Sequence, residues 1–437
     1  MRVAAQTSDA PLIRVNVRQV LVPVVVTDAK GRHVAGLKAS DFRIEEDGVR
    51  QEIAAFSTDS AAAASALLAG PAAGDAASRA AANGPLRRTV VICLDALHTA
   101  SPNSARTREA LMRLFDKEKS AESQYVVLSI GRQLQVLQTA TSDPAAVLAK
   151  LRGQAFQTVA GGGDAATFSS ELSELKNRMY DFCRRCACGS AHACDTEAGT
   201  LKLSLEAQAD HWAVVRDQFL LQLKSVVEEL AKLPTARSLI LVSDGFSLEP
   251  AREFYAVAAS FLPKDSRFQL AGSTGLDARL RSVMQVAAEG NVRIDAIDSR
   301  GLAQPSFAAS GSMDASTPAD RSAPSVISHG ASSNRGGTLL SDMDHQASSV
   351  ALESGSGMSQ LAQATGGTYL HDSNDLLKQF RAALADGREY YLLAYVPKNP
   401  GQDGKFRSIT VEVSDSKLRV RAKSGYWAGN EDSGKGK

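Results

Sequence analysis

An apolar run that stops at an acidic residue recurs along this chain and limits the folds open to it. Residues 89–94 are almost wholly apolar, as a strand buried on both faces must be, and they end at Asp95. Residues 238–242 form a second such run, leading into Ser243, Asp244 and Gly245, and residues 292–297 a third, ending at Asp298. Residues 125–130 and 134–137 read as further strands. Between these runs, residues 104–115, 203–233, 254–261 and 276–289 carry helical spacing, and Ser142, Asp143 and Pro144 open a helix that reaches Leu151. Strands alternating with helices predict a parallel, doubly wound (Rossmann-like) α/β sheet. Ligands bind such sheets at the carboxyl ends of strands, where the strand order reverses. Asp95 and Asp244 stand there by this reading, and carboxylates and hydroxyls are the hard donors that Mg²⁺ or Ca²⁺ require. A local role competes: an Asp at a strand end can cap its loop by accepting backbone N–H bonds.

The two ends of the chain have a different period. Residues 13–18 alternate, 21–26 are mostly apolar, and 42–44 and 51–56 flank a turn at Glu45–Gly48. Residues 390–395, 406–413 and 418–421 repeat the pattern near the other end, with a turn at 397–404. Alternation broken by Asp/Gly turns predicts antiparallel strands. Each set alone is too small for a two-layer core and leaves edges open; paired, they suffice. The expected organisation is therefore an α/β domain inserted in one antiparallel β-sandwich. Residues 12–57 and 388–428 form the sandwich, 58–86 an Ala-rich linker, and 87–385 the α/β domain. That domain carries a Cys-rich insertion at 176–200 and a Ser/Gly/Ala-rich disordered loop at 303–357.

Of five cysteines, Cys93 lies in an apolar run and reads as a buried thiol. Cys183, Cys186, Cys188 and Cys194 crowd together with His192 among them. One reading is a pair of disulfides stapling the insertion of an exported protein, with connectivity left open. The other is a zinc site with His192 as a ligand; the Cys-x₂-Cys opening suits it, while the wider second spacing disfavours zinc. Residues 1–9 lack the apolar core of a secretory signal. The chain is then either cytoplasmic or, as the cysteines favour, an exported protein given without its leader.

With 49 Lys+Arg against 48 Asp+Glu, the net charge of +1 offers no field to gather nucleic acid. No run approaches the ~20 apolar residues of a membrane span. There is no Gly-x-Ser-x-Gly elbow, His-Glu-x-x-His or P-loop Lys, so no enzyme is expected. Thr365, Gly366, Gly367 and Thr368 look like a phosphate loop only superficially, because they precede the strand-like Tyr369 and Leu370 instead of a helix.

Several of these segments together resemble the von Willebrand factor type A family, in particular the related proteins of bacteria. The resemblance rests on Asp95 with Thr99 after a first strand, Ser243-Asp244-Gly245 after a later one, and the helices between. Flanking segments fit it too: Val24–Gly31, Gly36–Phe42, Glu46–Gly48, Leu233-Pro234, Ile297–Leu302, Thr365–Gly367, Tyr391–Pro397 and Ser424–Tyr426.

That family's metal-ion-dependent adhesion site uses Asp-x-Ser-x-Ser, a Thr on a later loop and a further Asp. The resemblance implies Asp95, Thr99 and Asp244 as metal ligands for Mg²⁺ or Ca²⁺. The loop Thr is open between Thr158 and Thr167, with Thr141 a weaker choice. Leu97 replaces the middle Ser, which removes one oxygen ligand and is expected to put an apolar group at the rim. His98 either faces the site and gates it by protonation or is a polar loop residue; His33 has no visible partner in sequence. The implied function is a non-enzymatic protein-interaction or adhesion module that binds an acidic side chain of a protein partner through the ion. A metal-free structural or assembly component is the alternative, using the sandwich edge or the 303–357 loop, and a thiol or zinc enzyme a remote third.

Overall fold

The computed structural model describes residues 19–58, 88–118, 123–153, 156, 163–186, 194–233, 236–249, 252–262, 276–302, 355–399 and 401–428. All but Thr58 of the 58–86 linker, most of the 303–357 loop, Thr158, Cys188 and His192 lie outside the described residues.

In chain order the described strands are β1 (Val20–Thr27), β2 (Phe42–Glu46), β3 (Val49–Gln51), β4 (Ile53–Thr58), β5 (Arg88–Asp95), β6 (Ser123–Ile130), β7 (Leu134–Thr141), β8 (Arg237–Ser243), β9 (Arg293–Asp298), β10 (Tyr369–Leu370), β11 (Tyr391–Tyr395), β12 (Phe406–Val413), β13 (Arg419–Ala422) and β14 (Gly425–Trp427). The helices are α1 (Ser101–Lys117), α2 (Pro144–Arg152), α3 (Gly163–Cys186), α4 (Asp195–Ala231), α5 (Arg252–Phe261), α6 (Leu276–Glu289), α7 (Ser356–Thr365) and α8 (Leu376–Arg388).

A six-stranded sheet in the order β10-β9-β8-β5-β6-β7 forms the centre. Its strands are parallel except β7, which pairs antiparallel with β6. The wholly parallel sheet expected from sequence is corrected at this edge. Only Gly131, Arg132 and Gln133 join β6 to β7, enough for a hairpin and far too short for a parallel crossover. β7 is mostly exposed, as befits an edge, whereas β5 and β8 are buried almost throughout.

Helices cover both faces. On one, Phe219, Leu223 and Val227 of α4, Leu280 and Val283 of α6 and Leu361 of α7 pack on Val91, Cys93, Leu239 and Leu241. On the other, Leu111 and Leu114 of α1, Val147 of α2 and Phe380 of α8 pack on Val90, Ile92, Ile240 and Val242. The alternate residues of β5 thus serve opposite cores, as the two-residue period of a strand dictates. Two helix starts are fixed by Asp caps: Asp143 accepts from Ala145 N, and Asp375 from Lys378 N.

α4 has 37 residues and takes part in two cores. Its first half supplies Leu201, Leu205 and Trp212 to a separate cluster with Leu175, Met179 and Phe182 of α3 and Phe254 and Val257 of α5. Cys186 ends α3 and Cys194 directly precedes α4, so a disulfide between them ties the two helices.

Two antiparallel sheets lie outside the α/β unit, in the orders β13-β1-β11-β4 and β14-β12-β2-β3. Each interleaves strands from both ends of the chain. Val22 and Val24 of β1, Ile44 of β2, Leu393 and Tyr395 of β11, Ile409 of β12 and Tyr426 of β14 form one core between them. Within it the buried Glu46 accepts hydrogen bonds on Oε2 from Tyr395 Oη at 2.6 Å and Tyr426 Oη at 3.0 Å, which offset the burial of a carboxylate in an apolar layer.

Candidate functional site

The order of the central sheet places its reversal between β5 and β8. From β5 the chain moves outward to β6 and β7, then returns across β5 to β8 and continues outward to β9 and β10. Asp95 ends β5, and Asp244 follows the last residue of β8. The two acidic residues singled out in sequence therefore flank the crevice where open α/β sheets bind ligands.

Asp95 is 1% exposed and receives four hydrogen bonds. Its Oδ1 accepts from the backbone N–H groups of Leu97 and His98, both at 3.0 Å. Its Oδ2 accepts from His98 Nδ1 at 2.8 Å and Ser243 Oγ at 2.6 Å. A carboxylate offers about four lone-pair positions, so these donors occupy all of them. Asp244 is held by Ser299 Oγ at 2.6 Å, Ala100 N at 2.9 Å and Asn103 Nδ2 at 2.8 Å. Burial raises the Asp244 pKa above the usual carboxylate value, and those three donors oppose the rise. Asp298, at the end of β9, accepts from Arg300 and from Tyr369 Oη at 3.1 Å.

Thr99 is buried, and its Oγ1 has no hydrogen-bond partner. Beside it is a cavity of about 20 Å³ lined by Asp95, Thr99, Ser104, Thr107 and Ser129. The hydroxyls of Thr107 and Ser129 are likewise buried without a protein partner. Leu94, Ala96, Phe156 and Val242 complete the lining of the cavity, and its size is about that of one water molecule.

Three expectations are corrected here. Leu97 does not stand at the rim: it is 2% exposed and belongs to the core with Val91, Leu128 and Phe219, because the turn that brings its N–H to Asp95 directs its side chain inward. His98 is not merely a polar loop residue: its side chain is 8% exposed and faces Asp95. Its ring packs edge-on to Phe219 at 5.0 Å and near Phe246, with Nδ1 on Asp95. Since a carboxylate accepts, Nδ1 carries the proton in that contact. Neither Thr141 nor Thr167 lies on a loop at the site. Thr141 pairs with Tyr125 at the end of the sheet opposite Asp95, because β7 runs backwards, and its Oγ1 accepts from Asp143 N. Thr167 is exposed within α3.

The oxygen set tests a divalent ion directly. Thr99 Oγ1 is open to a ligand, and Asp244 has one lone-pair position left. Asp95 already accepts from four protein donors. The arrangement as it stands does not fit an ion held through Asp95.

At the end of the α3–α4 pair, Cys186 and Cys194 are joined by a disulfide, and Cys183 is also disulfide-bonded. Among the described residues, Cys186, Cys194 and Glu197 are the group of His, Cys, Asp or Glu atoms lying within 4.8 Å of one another. Sulfurs bonded to each other present no thiolates, so zinc does not fit these residues. Cys93 is a free, buried thiol whose pKa burial pushes well up.

Sequence reasoning passed over Ser243 as a brace, and over Asn103 and Ser299 altogether. A Ser directly before the second Asp was the available signal for Ser243. Asn103 and Ser299 come from other elements and carry none. The Thr365–Thr368 segment also acquires a role. Gly366 caps α7 with φ 77°, and Thr365 Oγ1 accepts from Ile294 N at 3.0 Å. Gly367 lies so close to β9 that a Cβ there would meet Ile294 O at 1.8 Å. The motif docks a helix end on a strand.

No protein-family model matches the chain, and no curated protein matches it. Among solved structures, the chain is similar to an aerotolerance-related membrane protein from Bacteroides fragilis at 11% identity and TM-score 0.29. The match covers 68% of this chain and 98% of that one. It is similar also to the conserved hypothetical protein BatB from Bacteroides thetaiotaomicron at 11% identity and TM-score 0.27, with the same coverage. No helix among the described residues is long and apolar enough to cross a membrane.

Proposed function

We propose that this chain is a non-enzymatic interaction or assembly component of von Willebrand factor A type, exported, whose adhesion-site residues serve as braces and not as metal ligands. The observation that carries this reading is the saturation of Asp95 by Leu97 N, His98 N, His98 Nδ1 and Ser243 Oγ. To bind an ion, Asp95 would have to release His98 or Ser243, and a buried donor left unsatisfied costs about 1–3 kcal/mol. Export is supported by the disulfide at Cys186 and Cys194, which persists in oxidising compartments. The α/β unit, framed by two antiparallel sheets, then acts as a rigid platform for a protein partner.

Thermal unfolding of the protein with Mg²⁺, Ca²⁺ or Mn²⁺, against a chelator, tests the reading. The expected Tm is the same in all four. A saturable rise with one ion, lost in Asp244→Ala, would overturn the metal-free form and restore the ion-dependent one, which the open Thr99 hydroxyl would then explain.

A further inference from the structure

The joint between α3 and α4 carries two matched pairs of side chains. Cys183 and Cys186 are three residues apart at the end of α3, and Cys194 and Glu197 have the same spacing at the start of α4. Residues three apart lie on one face of a helix. All three cysteines pack on the helical core that holds Phe182 and Leu201. The ligand atoms of Cys186, Cys194 and Glu197 lie within 4.8 Å of one another, and the Cα atoms of the two cysteines are 5.8 Å apart. Sulfur and oxygen ligands of one tetrahedral zinc stand about 3.6–3.8 Å apart, so a small adjustment of side chains reaches that spacing.

We propose that reduction converts this joint from a disulfide staple into a zinc site formed by Cys186, Cys194 and Glu197, with Cys183 as fourth ligand once its own disulfide is opened. A dithiol reductant supplies the electrons. Each protein disulfide takes up two electrons and two protons and becomes two thiols, while the dithiol closes to its own disulfide. Zinc then displaces the thiol protons, which pass to solvent. Thiolates with one carboxylate select zinc over Mg²⁺ or Ca²⁺.

Two further observations support the site. Glu197 Oε2 stands 3.5 Å from Cys186 Sγ, a sulfur that in the disulfide has no proton to donate, so no hydrogen bond accounts for the approach. The helix ends supply the right fields. Cys194 is the N-cap of α4, where the helix dipole favours a thiolate, and Cys186 ends α3, where the dipole favours a cation. Arg185 donates to the same Oε2 at 3.2 Å, which orients the carboxylate and leaves that oxygen a second lone pair. Cys186 is buried while Cys194 and Glu197 are half-buried, so an ion can enter from their side. Staple and ion tie the same two helix ends, one under oxidising and the other under reducing conditions. The proposal is thus independent of export and of the reading of the Asp95 crevice.

The test uses the whole chain, reduced with a phosphine and kept free of oxygen. It is titrated with Zn²⁺ against a chromogenic chelator and, separately, with Co²⁺ followed by absorption. One ion per reduced chain and none per oxidised chain is expected, with the thiolate charge-transfer and tetrahedral d–d bands of cobalt. Glu197→Gln should weaken binding about tenfold or more, and Cys194→Ser should abolish stoichiometric binding. Hydrogen exchange near Phe182 and Leu201, raised by reduction alone, should fall again when zinc is added. Absence of stoichiometric zinc binding by the reduced chain overturns the proposal, whether or not the helices stay folded. So does equal binding by the oxidised chain, or binding that Cys194→Ser retains at full strength.

Discussion

Ser243 Oγ donates to Asp95 Oδ2 at 2.6 Å across 148 positions of sequence, tying the ends of two adjacent parallel strands at the crevice of the sheet. The same hydroxyl accepts from Gly245 N at 2.9 Å, so one side chain braces Asp95 and shapes the loop that carries Asp244.

Ser243→Ala removes one of four donors from a buried carboxylate and leaves Gly245 N without its acceptor. A loss of about 1–3 kcal/mol is expected in urea unfolding, with the slope unchanged. His98→Asn, which shortens the reach to Asp95 Oδ2, should cost a similar amount. A double-mutant cycle should show coupling between the two, because both donate to Oδ2.

Tyr395→Phe removes the hydroxyl that meets Glu46 between the two antiparallel sheets. The expected loss is about 1–3 kcal/mol, and Glu46→Gln combined with it should be less than additive. Equilibrium unfolding of the four proteins measures both terms.

Acid sensitivity should pass through Asp386. Burial pushes its pKa up, but Arg293 and Arg421 outweigh burial and hold it below the ordinary 3.8. A carboxyl lowered in the folded state contributes stability that is fully present above its unfolded pKa and is lost as pH falls through the folded one. Stability should therefore decline as pH drops below about 3.8. Asp386→Asn should flatten that limb in a pH series of Tm. Asp244 acts in the opposite sense. Its raised folded pKa gives stability that is complete below 3.8 and is lost as pH climbs through the folded value, so Asp244→Asn should relieve the mid-acid loss.

Reduction should loosen the α3–α4 pair before the sheet. The Cys186–Cys194 bond closes a loop of sequence separation 8, and its loss should cost about 2–3 kcal/mol at most. Hydrogen exchange under reductant should rise first near Phe182 and Leu201, which share the separate helical core, while β5 stays protected.

Gly367→Ala should be among the most damaging single substitutions. Its Cβ would fall on Ile294 O, a backbone atom of a central strand that cannot rotate away. Overpacking costs about 1–3 kcal/mol or more. Gly31→Ala meets no atom within 4 Å and bears only the strain of its φ of 77°, so it should cost less in the same assay.

Much of the fold can be read from local pattern. Strand runs buried on both faces marked β5, β8 and β9, and the acidic residues at their ends marked the edge where a site belongs. The hairpin of β6 and β7 escaped that reading because direction depends on connection length, not on the strand's own composition. His33 showed no partner because its partner, Asp386, is 353 residues away. The helical pair α3–α4 was obscured by its cysteines, which draw attention to the joint and away from the apolar stripes leading to it.

At the site the division is sharper. Strand length and alternation are local properties, and they decide that Asp95 and Asp244 emerge at the crevice. Local pattern does not decide what they do there. A carboxylate can hold an ion or accept hydrogen bonds, and the choice depends on which donors arrive from elsewhere in the chain. Only the tertiary structure brought Ser243 and the His98 ring to Asp95, and Asn103 and Ser299 to Asp244. The physical reason is that lone pairs are filled by proximity in space, while spacing along the chain says only where a side chain starts.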